Sequence, residues 1–171
     1  VPDEGFYWGV ELQWELENPA SFNVDFGKDA ALFGGSFDFP LTADGETALT
    51  RVLNQISAQG AIAVVTLNPT VALSDISDSI ADDFASRLAA TSTRFGLPVL
   101  ARFAPEMNGS WVAWGQQPEA YVAAFRTVAD AIHYRAPQAA MVWSPVIGSG
   151  YPFQRGELGA APESPESTAM D

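Results

Sequence analysis

Apolar runs alternate with amphipathic segments along the first 146 residues of the chain. Five of the runs are rich in β-branched and aromatic residues and are short enough to be strands. They cover residues 6–14, 30–39, 61–67, 99–104 and 139–146. Nearly continuous apolar strands are typical of a parallel sheet that is buried on both faces. The pattern therefore predicts an α/β fold in which helices cover the sheet.

Three of the intervening segments carry apolar residues at helical spacing. The first helix is predicted from Glu46 to Gln59, where Gly60 supplies a stop. The second carries its apolar stripe between residues 80 and 95 and is closed by Gly96. The third begins near Pro118, a favoured first helical position, and ends by residue 137. No helix is predicted between the first two strands, where Pro19 ends the apolar run.

Five strands with helices between them leave two architectures open. A doubly wound sheet suits a chain of 171 residues, whereas an eight-fold barrel typically takes about 250. The strand-to-helix turns, however, contain no glycine-rich phosphate-binding run, and such runs are typical of doubly wound nucleotide-binding sheets. Residues 1–146 are predicted to form one domain. Residues 147–171, rich in glycine and proline, are predicted to be a loop or disordered tail.

Composition narrows the possible partners. With 21 acidic and 8 basic residues the net charge is −13, which repels phosphate backbones and anionic lipids. Neither a nucleic acid nor a membrane partner is predicted, and the oligomeric state stays open. Since the chain has no cysteine, disulfides and thiolate zinc sites are excluded, and neither a metal nor another cofactor is predicted. The chain opens on Val1 without a leader, which indicates a processed, engineered or partial product.

One stretch joins a strand end, a carboxylate and two tryptophans. It runs from Arg102 to Gly115 and places Glu106 just after the fourth strand, ahead of Trp111 and Trp114. A glycosidic oxygen must be protonated as it leaves, and a carboxyl group among apolar neighbours can stay protonated for this task. Flat aromatic faces can hold the sugar rings. The stretch therefore predicts chemistry on a carbohydrate.

The same stretch, particularly Glu-Met-Asn-Gly-Ser-Trp followed by Trp-Gly, resembles glycoside hydrolase family 26. The best-known members of that family are endo-β-1,4-mannanases. They are eight-fold α/β barrels with an acid/base glutamate after the fourth strand and a nucleophilic glutamate after the seventh. Residues 99–104 form the fourth predicted strand here, and the segments 6–11 and 141–145 are also similar to the family. The resemblance implies an α/β fold of the (β/α)8 TIM-barrel type, incomplete, with about five β/α units present.

Carried across residue by residue, the resemblance makes Glu106 the catalytic acid/base and Trp111 an aromatic wall of the substrate cleft. Four further candidates for substrate binding are Trp114, Asn108, Glu11 and Asp38. Asn108 is equally suited to a left-handed turn before Gly109, and Trp114 to the core. Two positions depart from the family pattern. Pro105 stands where a histidine commonly precedes the acid, and Asn68-Pro69 stands where a sugar-contacting histidine is often found.

The resemblance implies a retaining glycoside hydrolase that acts on β-mannan or related β-glycans and is secreted. Its nucleophile should lie roughly a hundred residues beyond the fourth strand on ordinary barrel spacing. This chain stops at Asp171, so we expect a truncated form without the nucleophile and with negligible hydrolysis of its own. One alternative is a non-catalytic carbohydrate-binding module that uses Trp111 and Trp114 as its platform. A third is an unrelated doubly wound sheet with a small-molecule function.

Overall fold

The computed structural model describes residues 5–146, which form strands that alternate with helices along the chain. The five strands are β1 (Gly9–Glu11), β2 (Leu32–Phe39), β3 (Ile62–Pro69), β4 (Val99–Phe103) and β5 (Ala139–Val142). The four α-helices are α1 (Pro19–Phe26), α2 (Ala43–Ser57), α3 (Asp78–Phe95) and α4 (Pro118–Arg135), and a single 3₁₀ turn covers Leu73–Asp75. The predicted α/β class is confirmed. The tail predicted for 147–171 lies outside the described residues.

The order of the strands decides between the two architectures. All neighbouring strands are parallel, and the sheet runs β1-β2-β3-β4-β5, each strand beside the next one in the chain. A doubly wound sheet reverses its strand order at a switch point, whereas a β/α barrel adds every unit on the same side. The barrel-type prediction is therefore confirmed, with five parallel strands side by side in chain order. Chain length, which favoured the doubly wound sheet, was a misleading guide.

The hydrophobic core lies between the sheet and its helices. Alternate residues of each strand point toward the helices, because side chains in a strand alternate between faces. Phe39 at the end of β2 is fully buried and meets Phe84 of α3 edge-on at 5.6 Å between ring centroids. Phe103 at the end of β4 meets both Phe39, at 5.7 Å, and Phe125 of α4, at 6.4 Å. This aromatic layer lies directly below the ends of the strands and supports the loops above them.

The structure contains a helix that the sequence analysis missed. Pro19 does more than end the first apolar run, since it is the first residue of α1. Asn18 and Ser21 form a capping box in which the Asn18 side chain accepts the Ser21 backbone N–H at 3.0 Å and Ser21 Oγ accepts the Asn18 N–H at 3.4 Å. The motif is readable in the sequence because proline favours the first helical position.

Three other elements, β1, β5 and α2, differ most from their predicted bounds. β1 is three residues long instead of nine, and β5 ends at Val142 instead of residue 146. Helix α2 begins at Ala43, three residues earlier than predicted, because Thr42 Oγ1 accepts the Gly45 N–H at 3.1 Å and caps the helix.

Candidate functional site

The loop after β4 carries Glu106 in an unusual backbone conformation. Ala104 and Glu106 have φ angles of 45° and 60°, in the left-handed region that residues with a side chain rarely adopt. Two hydrogen bonds hold this turn. The Glu106 N–H donates to the carbonyl of Ser144 at 2.7 Å, and its own carbonyl accepts the Gly109 N–H at 2.8 Å. Strain of this kind persists where the surroundings fix the backbone, and it is concentrated at functional sites.

The side chain of Glu106 lies beside the indole of Trp111. Glu106 is half-buried, and its Oε2 accepts the indole Nε1–H at 2.7 Å. Trp111 keeps 37% of its surface exposed. A carboxyl group and an exposed aromatic ring thus lie together at the C-terminal end of the sheet, where β/α barrels place their active sites. The pair can hold a sugar ring and give a proton to an oxygen attached to it.

Gly109 and Gly115 allow the loop after β4 to fold closely around Glu106 and Trp111. A Cβ atom added at Gly109 would lie 2.6 Å from the ring carbons of Trp111, so the indole packs directly against the glycine backbone. A Cβ atom added at Gly115 would run into the carbonyl oxygen of Gly109. A side chain at Gly115 is therefore excluded by backbone, and a side chain at Gly109 would displace the indole of Trp111. Both glycines belong to the motif recognised in the sequence, but their role in placing Trp111 is visible only in the structure.

Trp114 anchors the loop after β4 to the hydrophobic core. Its indole Nε1–H donates to the backbone carbonyl of Pro105 at 2.8 Å, and its half-buried ring packs against the hydrophobic core. A contact between Trp114 and a sugar stays a prediction.

The position of Asn108 fits neither a hydrogen bond to substrate nor a left-handed turn. Its side chain is completely buried, with Nδ2 donating to the Val146 carbonyl at 2.7 Å and Oδ1 accepting the Val146 N–H at 2.9 Å. A buried amide that is already bonded cannot reach a ligand in the cleft. Neither does Asn108 adopt the left-handed conformation, which falls on Glu106. In this structure Asn108 ties the loop after β4 to the segment after β5.

Replacing Asn108 by alanine is expected to destabilise the protein by about 1–3 kcal/mol, because two backbone groups of Val146 lose their buried partner. Urea unfolding followed by circular dichroism measures the change. The matched control is Asn54→Ala on the exposed side of α2, which should stay within about 0.5 kcal/mol of the parent. Equal stability of the two variants would contradict the structural role given to Asn108.

Glu11 belongs to a polar network on the face of the sheet that points away from the helices. Its Oε1 accepts the Ser36 hydroxyl at 2.5 Å, and its Oε2 lies 3.6 Å from Nη2 of Arg102. Arg102 in turn donates from Nε to the Thr66 hydroxyl at 3.0 Å. These contacts join β1, β2, β3 and β4. The sequence analysis missed the network, although Arg102 inside an apolar strand is a signal for it. The predicted contact of Glu11 with substrate stays a prediction.

Asp38 and Trp143 lie at the ends of strands. Asp38 is exposed on β2, on the same face as Ser36 and paired in register with Asn68 of β3, so it can face a ligand above the sheet. Trp143 follows β5 and is 53% exposed. It adjoins Ser144, whose carbonyl anchors Glu106. Within residues 5–146, no group of three or more His, Cys, Asp or Glu side chains could hold a metal ion.

No helix in the described part of the chain is long and apolar enough to span a bilayer. No protein-family model matches the sequence, and no curated protein is significantly similar to it.

Comparison with solved structures gives clear matches in fold. A modular endo-β-1,4-mannanase from Cellulomonas fimi is 16% identical, with a TM-score of 0.59 over 88% of this chain and 44% of that one. A family 26 β-mannanase from Bacteroides ovatus is 15% identical, with a TM-score of 0.57 over 86% of this chain and 55% of that one. A mannanase from Bacillus subtilis is 17% identical, with a TM-score of 0.52 over 85% and 57%.

These matches confirm the predicted likeness to the fold of family 26 mannanases. At 15–17% identity these matches show a shared fold. The chain spans 44–57% of the length of the matched structures.

Proposed function

We propose that this chain is part of a retaining glycoside hydrolase that acts on β-mannan or related β-glycans. Glu106 is its acid/base, and Trp111 is an aromatic wall of the cleft. The observation that carries the proposal is the carboxylate of Glu106, placed 2.7 Å from an exposed indole at the C-terminal end of β4. The fold likeness to mannanases supports the choice of substrate class.

Retention requires two displacements at the anomeric carbon. A carboxylate nucleophile first attacks that carbon while the bond to the glycosidic oxygen breaks. The electron pair stays on the leaving oxygen, which takes the proton of Glu106. In the second step the Glu106 carboxylate removes a proton from water, and the water oxygen displaces the nucleophile.

The partner carboxylate must lie about 5–5.5 Å from Glu106 for this mechanism. We place it outside the described residues, at the end of a later strand. The 171-residue chain alone is then expected to release no sugar. Glu11 and Asp38 at the ends of β1 and β2, together with Trp114, supply the polar and aromatic rim of the proposed cleft. Because a polysaccharide is too large to enter a cell, we propose an extracellular location.

A non-catalytic carbohydrate-binding module is the second candidate. The exposed ring of Trp111 favours it as much as it favours an enzyme, since a binding platform needs no second carboxylate. The two candidates differ in whether bound sugar is cleaved.

Titration of mannohexaose, followed by tryptophan fluorescence, measures binding, and a reducing-sugar assay on mannan, lichenan and xylan measures cleavage. The sample is the whole protein encoded by the gene, compared with the 171-residue chain. Binding by both samples, with product release by the whole protein only, is the result we expect. Binding without release by the whole protein would favour the module and contradict the enzyme.

A further inference from the structure

The Trp111 indole bonds to one of the two oxygens of the Glu106 carboxylate. Oε2 accepts a hydrogen bond of 2.7 Å from the indole nitrogen of Trp111. An indole N–H can only donate, so this bond favours a lone pair on Oε2 and disfavours a proton there. The proton of the neutral acid is therefore directed to Oε1.

The indole is held in place independently of the Glu106 side chain. Its ring carbons pack against Gly109, where even a methyl group would lie 2.6 Å away. The backbone of the same turn is fixed by the bond from the Gly109 N–H to the Glu106 carbonyl and by the bond from the Glu106 N–H to Ser144. Donor and acceptor are thus both anchored through one short turn, so the bond needs little reorganisation during a reaction.

We propose that Trp111 is a positioning residue for Glu106, in addition to a wall for the sugar. This inference rests on the proposed function. The bond to Oε2 orients the carboxyl group so that Oε1 presents the proton to the glycosidic oxygen. As the bond from the anomeric carbon to that oxygen breaks, the proton moves to the leaving oxygen and negative charge develops on the carboxylate. The indole N–H then bonds to a charged acceptor, which is the stronger interaction, so it stabilises the transition state more than the ground state.

Trp111→Phe removes the N–H and keeps a smaller aromatic face. A substrate with a poor leaving group needs a proton from the acid. The dinitrophenolate group of a dinitrophenyl glycoside leaves without one. In the whole protein we expect kcat/KM for mannan to fall by about tenfold or more, the size expected for a hydrogen bond to a charged group. For dinitrophenyl β-mannobioside, the loss of kcat/KM should be about tenfold smaller, because that reaction does not use the acid and is affected only by the smaller aromatic ring.

Trp114→Phe is the matched control. It removes an indole N–H from the same loop, but that N–H donates to the backbone carbonyl of Pro105 and not to a carboxylate. We expect kcat/KM for the two substrates to change by the same factor. A substrate-dependent loss in Trp114→Phe, or an equal loss for both substrates in Trp111→Phe, would overturn the positioning role.

A second measurement does not depend on activity. In a ¹⁵N-labelled sample of the whole protein, the indole resonances of Trp111 and Trp114 are assigned from their absence in the two phenylalanine variants. Glu106→Ala removes the acceptor of this hydrogen bond, so the Trp111 indole proton should shift upfield while that of Trp114 stays in place. An unmoved Trp111 resonance would overturn the hydrogen bond itself. A shifted resonance in a protein that cleaves no glycan would contradict the proposed function and leave the geometry intact.

Discussion

Glu106→Gln is expected to lower kcat/KM for mannan in the whole protein by about 10²–10⁴-fold, the usual contribution of general acid catalysis. Glutamine has the shape of the acid and cannot give up a proton at working pH. Hydrolysis of dinitrophenyl β-mannobioside should keep most of its kcat/KM, because its leaving group departs unprotonated. Steady-state kinetics on the two substrates measure the difference.

The matched control for this variant is Glu119→Gln. Glu119 lies in the first turn of α4, is exposed and is thirteen positions further along the chain. It should leave both activities unchanged. Full activity of Glu106→Gln on mannan, or equal losses on both substrates, would contradict the role of Glu106 as proton donor.

The largest expected loss of stability follows from removing the ring of Phe103. Phe103→Ala should destabilise the protein by about 3–5 kcal/mol, the range for truncating a buried phenylalanine. The ring is fully buried below the loop that carries Glu106, and its contacts reach Phe39, Tyr121 and Phe125. Since whole domains are stabilised by only about 5–15 kcal/mol, the variant loses a large part of its free energy of unfolding. The shift in the midpoint of urea unfolding measures the effect.

Phe6→Ala is the matched control, because it removes the same side chain at a position that is 82% exposed. It should change the unfolding free energy by no more than about 0.5 kcal/mol. If Phe103→Ala does not fold at all, Phe103→Leu keeps most of the apolar volume and should unfold at an intermediate urea concentration. Similar midpoints for Phe103→Ala and Phe6→Ala would contradict the packing described for the strand ends.

Periodicity predicted all five strands, three of them with close bounds, and three of the four α-helices. Local pattern is enough for these elements because each buries one continuous apolar face. Helix α1 was missed because its start depends on side-chain capping by Asn18 and Ser21 instead of a strong apolar stripe. The order of the strands was left open by the sequence, since both architectures use the same alternation of strands and helices.

The candidate site was predictable in its residue types and less so in its geometry. The position of Glu106 after the fourth strand followed from the sequence, as did its neighbours Trp111 and Trp114. The burial of Asn108 did not, because its partner Val146 lies 38 residues away along the chain. The network of Glu11, Ser36 and Arg102 likewise depends on strand register, which becomes visible only when the sheet is assembled.

The most direct test of the central claim is the product that Glu106→Ala forms from dinitrophenyl β-mannobioside in the presence of azide. If Glu106 is the acid/base, the glycosyl-enzyme still forms, and azide displaces the nucleophile in a second inversion. Azide then accelerates turnover, and ¹H NMR detects a glycosyl azide of retained β configuration. An α-configured azide would show a single displacement and make Glu106 the nucleophile. A turnover rate unaffected by azide would remove Glu106 from the chemistry altogether.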